Sequence, residues 1–191
     1  MNAQNDNVKK DLLFVAEYDN YNDWYTKAFK SDALRRSQFC NESETKVGVI
    51  TNNSSFIVLR EFDVSKMNEF ASDEKMGKLM KKFNVKHTEM YDLISVTSVA
   101  KMQEKANLFF IIKSVDYDLW LWDAFLPDAE RRSNFCDESK TKVSKLNDKT
   151  ALVALYDFDL TRMKEFESNE EVGKLMGKYK VTHDVYLMNK L

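Results

Sequence analysis

The chain reads Arg35-Arg36-Ser37-Gln38-Phe39-Cys40 in its first half and Arg131-Arg132-Ser133-Asn134-Phe135-Cys136 in its second half. The two strings lie 96 residues apart, and the likeness extends far beyond them on both sides. At that separation residues 12–95 align with residues 108–191 without a gap, giving about 33 identities in 84 pairs, which coincidence does not produce. The sequence therefore predicts one small fold that occurs twice.

The repeat divides the chain into four predicted parts. They are a flexible N-terminal tail (1–10), a first repeat (11–95), a linker (96–107) and a second repeat (108–191). The linker could form a short helix or an extended tether. A function is expected either inside each copy or between the two copies.

The composition is that of a globular protein without a strongly charged surface. Hydrophobic residues make up 43% and aromatic residues 13%, enough for each repeat to bury a core. The 29 basic and 31 acidic side chains nearly cancel, which argues against binding to nucleic acid or to an anionic membrane. No stretch approaches the roughly 18 apolar residues of a membrane helix, and no secretory signal precedes the two cysteines, so we expect a cytoplasmic protein with reduced thiols.

The sequence patterns predict the same succession of strands and helices in both repeats. In the first repeat these are a strand at 12–16, a helix over 21–29, a hairpin within 45–62, a second helical stretch from 65 to 83 and a strand at 85–94. Ser65 is the expected N-cap of the second helical stretch, and Ser72 is expected to restart it after a kink. This β-α-β-β-α-β order is that of a ferredoxin-like fold.

The strands are apolar on both faces, whereas a ferredoxin-like sheet has helices on one face only. Phe56, Val58 and Phe62 alternate with Ile57 and Leu59, which leaves no side of this strand for solvent. The sheet of the other copy is the available cover. We therefore predict an α+β fold in which two ferredoxin-like βαββαβ repeats pack sheet to sheet as a pseudo-twofold α/β barrel.

Three short patterns accompany this architecture: a helix with Trp-x(3–4)-Phe, a turn with Arg-x-x-x-Phe-Cys and a strand that starts Val-x-His. With them the chain resembles the dimeric α/β-barrel superfamily, fused in tandem, and most of all its small uncharacterised bacterial members. The resemblance implies that a histidine in the barrel cavity can serve aldol cyclisation, haem contact or lactone isomerisation, as in some members. Because fusion satisfies the usual dimer contact within one chain, we expect a monomer with an internal pseudo-dimer.

His87 and His183 are the two histidines of the chain and occupy equivalent positions. Strand alternation predicts that His87 shares a face with Glu89 and Tyr91 and points into the barrel. An imidazole that titrates near neutrality suits a general base or a ligand contact. The competing interpretation is a strand-entry histidine that is hydrogen-bonded to the neighbouring helix end. Two histidines without further ligands do not form a metal site, and no cofactor is predicted.

Positions at which the two copies differ are further candidates for a ligand-binding site. The gapless alignment pairs Glu17, Arg60, Glu89 and Tyr91 of the first copy with Lys113, Tyr156, Val185 and Leu187 of the second. The first and third strands of a ferredoxin-like sheet are neighbours, so Glu17 and Arg60 could approach each other inside the barrel; alternatively both lie near strand ends in solvent. The predicted ligand contacts are Glu17, Arg60, Glu89, His183 and Tyr156, beside His87 and Tyr91 as catalytic candidates.

Packing explains the remaining conspicuous residues better than chemistry does. Trp24 lies on the apolar stripe of the first helix and is expected in the core. The Arg35–Arg36 pair complements the helix dipole, with an anion site as the alternative. Cys40 is expected to be a packed thiol, and Gly77, in mid-helix, suggests a close approach of helix and sheet.

Two functional hypotheses follow. The first is a non-catalytic protein that binds a small apolar or amphipathic ligand in or beside the barrel. The alternative is a cofactor-independent cyclase, isomerase or monooxygenase with His87 as general base and Tyr91, Arg60 or Glu89 orienting the substrate. The common nucleotide, zinc-protease and serine-hydrolase strings do not occur, so those classes lose support. We favour the binding protein because packing explains the repeated positions.

Overall fold

The structure is a computed structural model that describes residues 8–96 and 104–191. It divides into two compact units. Unit 1 extends to Asp92 and includes Lys190–Leu191, and unit 2 comprises Leu93–Asn189. Most of the predicted tail and most of the predicted linker lie outside the described residues. Within the described part, the first strands of the two repeats begin at Lys9 and at Lys105.

Both repeats contain the same order of strands and main helices. The first repeat contains β1 (Lys9–Glu17), α1 (Tyr21–Trp24), a π-helix (Tyr25–Phe29), a 3-10 turn (Lys30–Asp32), α2 (Ala33–Arg36), β2 (Asn41–Thr51), β3 (Ser54–Asp63), a 3-10 turn (Val64–Lys66), α3 (Met67–Ala71), α4 (Glu74–Lys82) and β4 (Lys86–Ser95). The second repeat contains β5 (Lys105–Lys113), α5 (Tyr117–Trp120), a π-helix (Leu121–Phe125), α6 (Ala129–Arg132), a 3-10 turn (Glu138–Lys140), β6 (Lys142–Asn147), β7 (Thr150–Asp159), a 3-10 turn (Leu160–Arg162), α7 (Met163–Glu167), α8 (Glu170–Lys178) and β8 (Thr182–Lys190).

The strands form a closed barrel in the order β1-β3-β2-β6-β7-β5-β8-β4. In the first repeat β3 pairs antiparallel with both β1 and β2, and in the second β7 pairs in the same way with β5 and β6. Strands of a barrel surrounded by helices are buried on both faces, and Phe56, Ile57, Val58 and Leu59 are all buried. The predicted α+β fold, an α/β barrel of two ferredoxin-like repeats, is confirmed.

Each unit has its own apolar core between helices and strands. In unit 1, Leu12 and Phe14 of β1 and Leu59 of β3 belong to one cluster with Trp24 and Phe39. Unit 2 has the equivalent cluster of Leu108, Phe110, Leu155, Trp120 and Phe135. Full burial of such a side chain contributes roughly 1.5–3 kcal/mol, so the repeated apolar residues specify repeated packing.

The first helical stretch, predicted as one continuous helix, is interrupted by the π-helix Tyr25–Phe29. An equivalent π-helix, Leu121–Phe125, occurs in unit 2. The Arg36 guanidinium donates one hydrogen bond to the carbonyl oxygen of Phe29 and two to the carboxylate of Glu42. The arginine therefore supplies a partner for a carbonyl group at an irregular point of the helix.

Three local predictions are wrong. The cap before the second helical stretch is Asp63 and not Ser65, because the Asp63 carboxylate accepts hydrogen bonds from the Ser65 backbone N–H, at 3.1 Å, and from its hydroxyl. α4 begins after Asp73, one residue beyond the predicted Ser72. Gly77 does not mark a close approach, since a Cβ atom there would meet nothing beyond its own helix within 4 Å.

Candidate functional site

Unit 1 contains a cavity, called the first cavity, between its helices and the helix-facing side of its strands. Its volume is about 350 Å³. The wall is mostly apolar and includes Phe14, Trp24, Ala28, Phe29, Phe70 and Met80. Asp32, Arg36 and His87 also line it. Strands and helices of one repeat therefore form a complete pocket.

Unit 2 contains the equivalent second cavity, with a volume of about 500 Å³. Its apolar wall includes the repeat equivalents Phe110, Trp120, Ala124, Phe125, Phe166 and Met176. Asp128, Arg132 and His183 occupy the positions of the ionisable residues of the first cavity. Arg131 and Glu167 also line the second cavity. In the first cavity Arg35 is not part of the wall, and Ala71 has the position of Glu167.

His87 lies on the wall of the first cavity, among helix residues, and does not point into the barrel as predicted. Its ring packs against Phe14, with 5.2 Å between the ring centroids. His87 is exposed in part, yet the protein around the imidazole desolvates it and lowers its pKa. Among the described residues the imidazole of His87 has no hydrogen-bond or ion-pair partner, so the side-chain bond to a helix end that the competing interpretation expects is absent.

The last strand differs between the repeats by one residue. In the second repeat His183 and Val185, two residues apart, both line the cavity, as strand alternation requires. In the first repeat the corresponding pair is His87 and Met90, three residues apart. The first repeat therefore has one additional residue at this point, and Val185 corresponds to Met90. The gapless alignment, which paired Val185 with Glu89, is wrong here.

Because of this irregularity, Glu89 and Tyr91 do not share a cavity with His87. Neither residue lines the first cavity. The buried Tyr91 donates a hydrogen bond from its hydroxyl to Glu89 Oε2 at 2.6 Å. In the shifted alignment its counterpart is Tyr186, which is also buried. The predicted grouping of the three residues is wrong because the extra residue reverses the strand faces.

The other predicted ligand contacts are not brought together. Glu17 is exposed and pairs with Ser54 at the start of β3, whereas Arg60 lies near the other end of that strand. Arg60 forms an ion pair with Asp11 at 2.8 Å. The prediction that Glu17 and Arg60 approach each other is therefore wrong.

Tyr156 is buried in β7, and its hydroxyl accepts a hydrogen bond from Lys142 Nζ at 3.1 Å. It does not line the second cavity. Of the predicted site residues, only His87 and His183 lie on a cavity wall, and they do so at equivalent positions.

The charged groups of the first cavity neutralise one another. Arg35 donates two hydrogen bonds to the buried carboxylate of Asp32, at 2.7 and 2.9 Å. Arg36 binds Glu42, and its guanidinium lies 3.7 Å from the centroid of the Phe29 ring. Because both guanidinium groups have carboxylate partners, the geometry favours a structural role over the alternative anion site.

Cys40 is a buried free thiol whose Sγ donates a hydrogen bond to the carbonyl oxygen of Arg36 at 3.4 Å. Burial raises its pKa, because desolvation disfavours the thiolate. The equivalent Cys136 has the same partner in Arg132 and the same direction of pKa shift. Both are packed thiols, as expected, and their raised pKa disfavours the thiolate that a nucleophile needs.

Sequence reasoning missed that space remains beside the apolar residues. The helical spacing of Phe70, Met76 and Met80 predicts a buried stripe; all three line the first cavity and are partly buried. Periodicity identifies the common face of these side chains but not the volume that they leave unfilled. The existence of the cavity therefore had no signal in the sequence.

Two further properties concern the described residues alone. None of their helices combines the length and the apolar character needed to cross a membrane. Across residues 8–96 and 104–191, no three His, Cys, Asp or Glu side chains are grouped so that they could hold a metal ion.

Known proteins resemble this chain in structure but not in sequence. No protein-family model matches it, and no curated protein does. The chain is similar to an uncharacterized ferredoxin fold protein related to antibiotic biosynthesis monooxygenases from Listeria monocytogenes, with 10% identity, a TM-score of 0.31 and coverage of 99% of this chain and 100% of that chain. It is also similar to a monooxygenase-like protein from Listeria innocua, with 12% identity, a TM-score of 0.30 and coverage of 96% of each chain.

The fold is a closed eight-strand barrel of two repeats, each with the β-α-β-β-α-β order that the resemblance to the dimeric α/β-barrel superfamily implied. At TM-scores of 0.31 and 0.30, the likeness to these two solved structures carries no argument about what either cavity binds.

Proposed function

We propose that each repeat binds one small amphipathic molecule in its cavity without changing it chemically. The observation that supports this proposal is an open, apolar cavity in which the imidazole of His87 has no hydrogen-bond or ion-pair partner among the described residues. Such a pocket, mostly apolar with a few placed polar groups, is typical of small-molecule sites. The ligand body would contact rings such as Phe14, Trp24 and Phe29.

The polar groups divide into two kinds. Asp32 and Arg36 already have partners, so a ligand need not pair with them. His87, whose pKa is lowered, is neutral near pH 7 and offers one hydrogen-bond donor and one acceptor. A hydroxyl or carbonyl on the ligand would use this imidazole, which explains why an amphipathic ligand fits better than a hydrocarbon.

The test uses N-phenyl-1-naphthylamine, a neutral fluorophore whose emission rises in apolar surroundings. Wild-type protein should bind two equivalents. Ala28→Phe places a ring in the first cavity and Ala124→Phe one in the second, so each variant should bind one equivalent and the double variant none. Leu34→Phe adds a ring at an exposed position and should not change binding.

Circular dichroism and thermal unfolding would confirm that the variants remain folded. A folded wild-type protein that gives no saturable emission, or a folded double variant that still binds two equivalents, would contradict the proposal.

A general-base function for His87 is the second candidate, and one observation favours it: the imidazole lies on the wall of an apolar cavity without a hydrogen-bond partner among the described residues, and its lowered pKa keeps it unprotonated at neutral pH. Arg60, Glu89 and Tyr91 do not line the cavity and would not orient a substrate there. The test is proton–deuterium exchange at the α-carbon of 2-tetralone, an apolar ketone, followed by NMR in D₂O. Catalysis requires exchange that is faster with wild-type protein than with a folded His87→Gln variant; equal rates would exclude it.

A further inference from the structure

The charged residues that line the two cavities differ at two equivalent positions: Arg131 lines the second cavity whereas Arg35 does not line the first, and the second cavity has one further carboxylate. Glu167, the last residue of α7, lines the second cavity, and the corresponding residue of the first cavity is Ala71. Glu167 is exposed and has no hydrogen-bond or ion-pair partner among the described residues. Its carboxylate is therefore available at the solvent side of an apolar pocket.

The other charges around both cavities form balanced pairs. In unit 1, Arg35 binds Asp32 and Arg36 binds Glu42. In unit 2, the equivalent ion pairs are Arg131 with Asp128 and Arg132 with Glu138. Two cations and two anions cancel in each unit. Arg131 also lines the second cavity, but its guanidinium is already paired with Asp128, so Glu167 is the one additional carboxylate without an ion-pair partner there among the described residues.

The second cavity is also the larger one, about 500 Å³ against about 350 Å³. Val172 and Val185 line it where Met76 and Met90 line the first cavity. The shorter valine side chains leave more room beside His183. A ligand with an additional polar group at one end is therefore easier to accommodate in the second cavity.

We propose that the second cavity selects amphipathic amines, whose apolar body fills the pocket and whose ammonium group meets Glu167, whereas the first cavity selects neutral molecules. This inference rests on the proposed binding function. An ion pair at an accessible position is weak, so the preference for the amine should be about two- to fivefold in affinity. It should decrease at high salt because the pair is screened.

The experiment compares 2-naphthylmethylamine with 2-naphthylmethanol, which have nearly the same shape but differ in charge at pH 7. Each displaces N-phenyl-1-naphthylamine from Ala28→Phe protein, in which only the second cavity is open, and from Ala124→Phe protein, in which only the first is open. We expect the amine to displace the fluorophore at a lower concentration than the alcohol from the second cavity, and no such preference in the first.

A reciprocal exchange tests the residue itself. Glu167→Gln in the Ala28→Phe background should abolish the preference for the amine. Ala71→Glu in the Ala124→Phe background should create it in the first cavity. If both probes bind the second cavity equally well, with Glu167 or with Gln, the inference is overturned while the binding function stands. If the fluorophore does not bind the wild-type protein at all, both proposals are overturned.

Discussion

The buried guanidinium of Arg36 contacts three groups at once: the carbonyl oxygen of Phe29, the carboxylate of Glu42 and the face of the Phe29 ring. Arg132 makes the same contacts in unit 2 with Phe125 and Glu138. A planar group with five donors suits this arrangement better than an ammonium group does. The repeated arginine is thus explained by the geometry of the helix and not by a bound anion.

Arg36→Met should destabilise the protein by about 3–5 kcal/mol, because it leaves a largely buried carboxylate and a carbonyl group without their partner. Urea unfolding, followed by circular dichroism, measures this change. The matched control is Lys27→Met, which removes an exposed ion pair with Asp23 and should leave the unfolding midpoint nearly unchanged. Equal effects of the two substitutions would contradict the structural role of Arg36.

His87 should make the stability of the protein depend on pH. Its pKa in the folded state is below the ordinary value of 6.5, so the unfolded chain binds the proton first as the pH falls. Stability that is fully present above pH 6.5 is therefore lost progressively below it. In urea unfolding between pH 7.5 and 5, the wild-type midpoint should fall more than that of His87→Gln. Parallel pH profiles of the two proteins would show that His87 is not desolvated.

At the scale of elements, the last strand of each repeat shows which structural features the repeat pattern predicts and which it does not. The repeat correctly predicts that a strand follows the second helical stretch in both copies. It does not show that β4 has one residue more than β8 between the cavity-lining His87 and Met90. Since successive side chains of a strand point to opposite faces, one extra residue moves Tyr91 to the face opposite the helices.

The helices α4 and α8 allow a test of the finding that their mid-helix glycines are not sites of close approach between helix and sheet. A Cβ atom at Gly173 would meet nothing beyond its own helix within 4 Å, so Gly173→Ala should stabilise the protein by about 1 kcal/mol through helix propensity alone. Gly77→Ala, at the equivalent position, should have a similar effect. Chemical unfolding measures both. If either substitution destabilises the protein, the result would contradict this finding and support the close approach of helix and sheet that the sequence suggested.

At the scale of the whole molecule, the closed barrel leaves none of the described strands with an unpaired edge for another chain. We therefore expect a monomer, with a sedimentation mass near 22.4 kDa at micromolar concentration. A mass near twice that value would contradict this. In that case the exposed apolar side chains of Leu119, Trp122 and Leu126 would be the first to replace.

The sequence by itself determined the architecture of this protein: the tandem repeat, the β-α-β-β-α-β order and strands that are apolar on both faces. These properties are recorded locally, in identities between the copies and in the periodicity of apolar residues. The tertiary structure alone decided the site. It placed His87 against the helices, paired Arg36 with Glu42 and left a cavity beside them. Those results depend on strand register and on the volume left between packed side chains, and neither quantity is encoded in any single stretch of the chain.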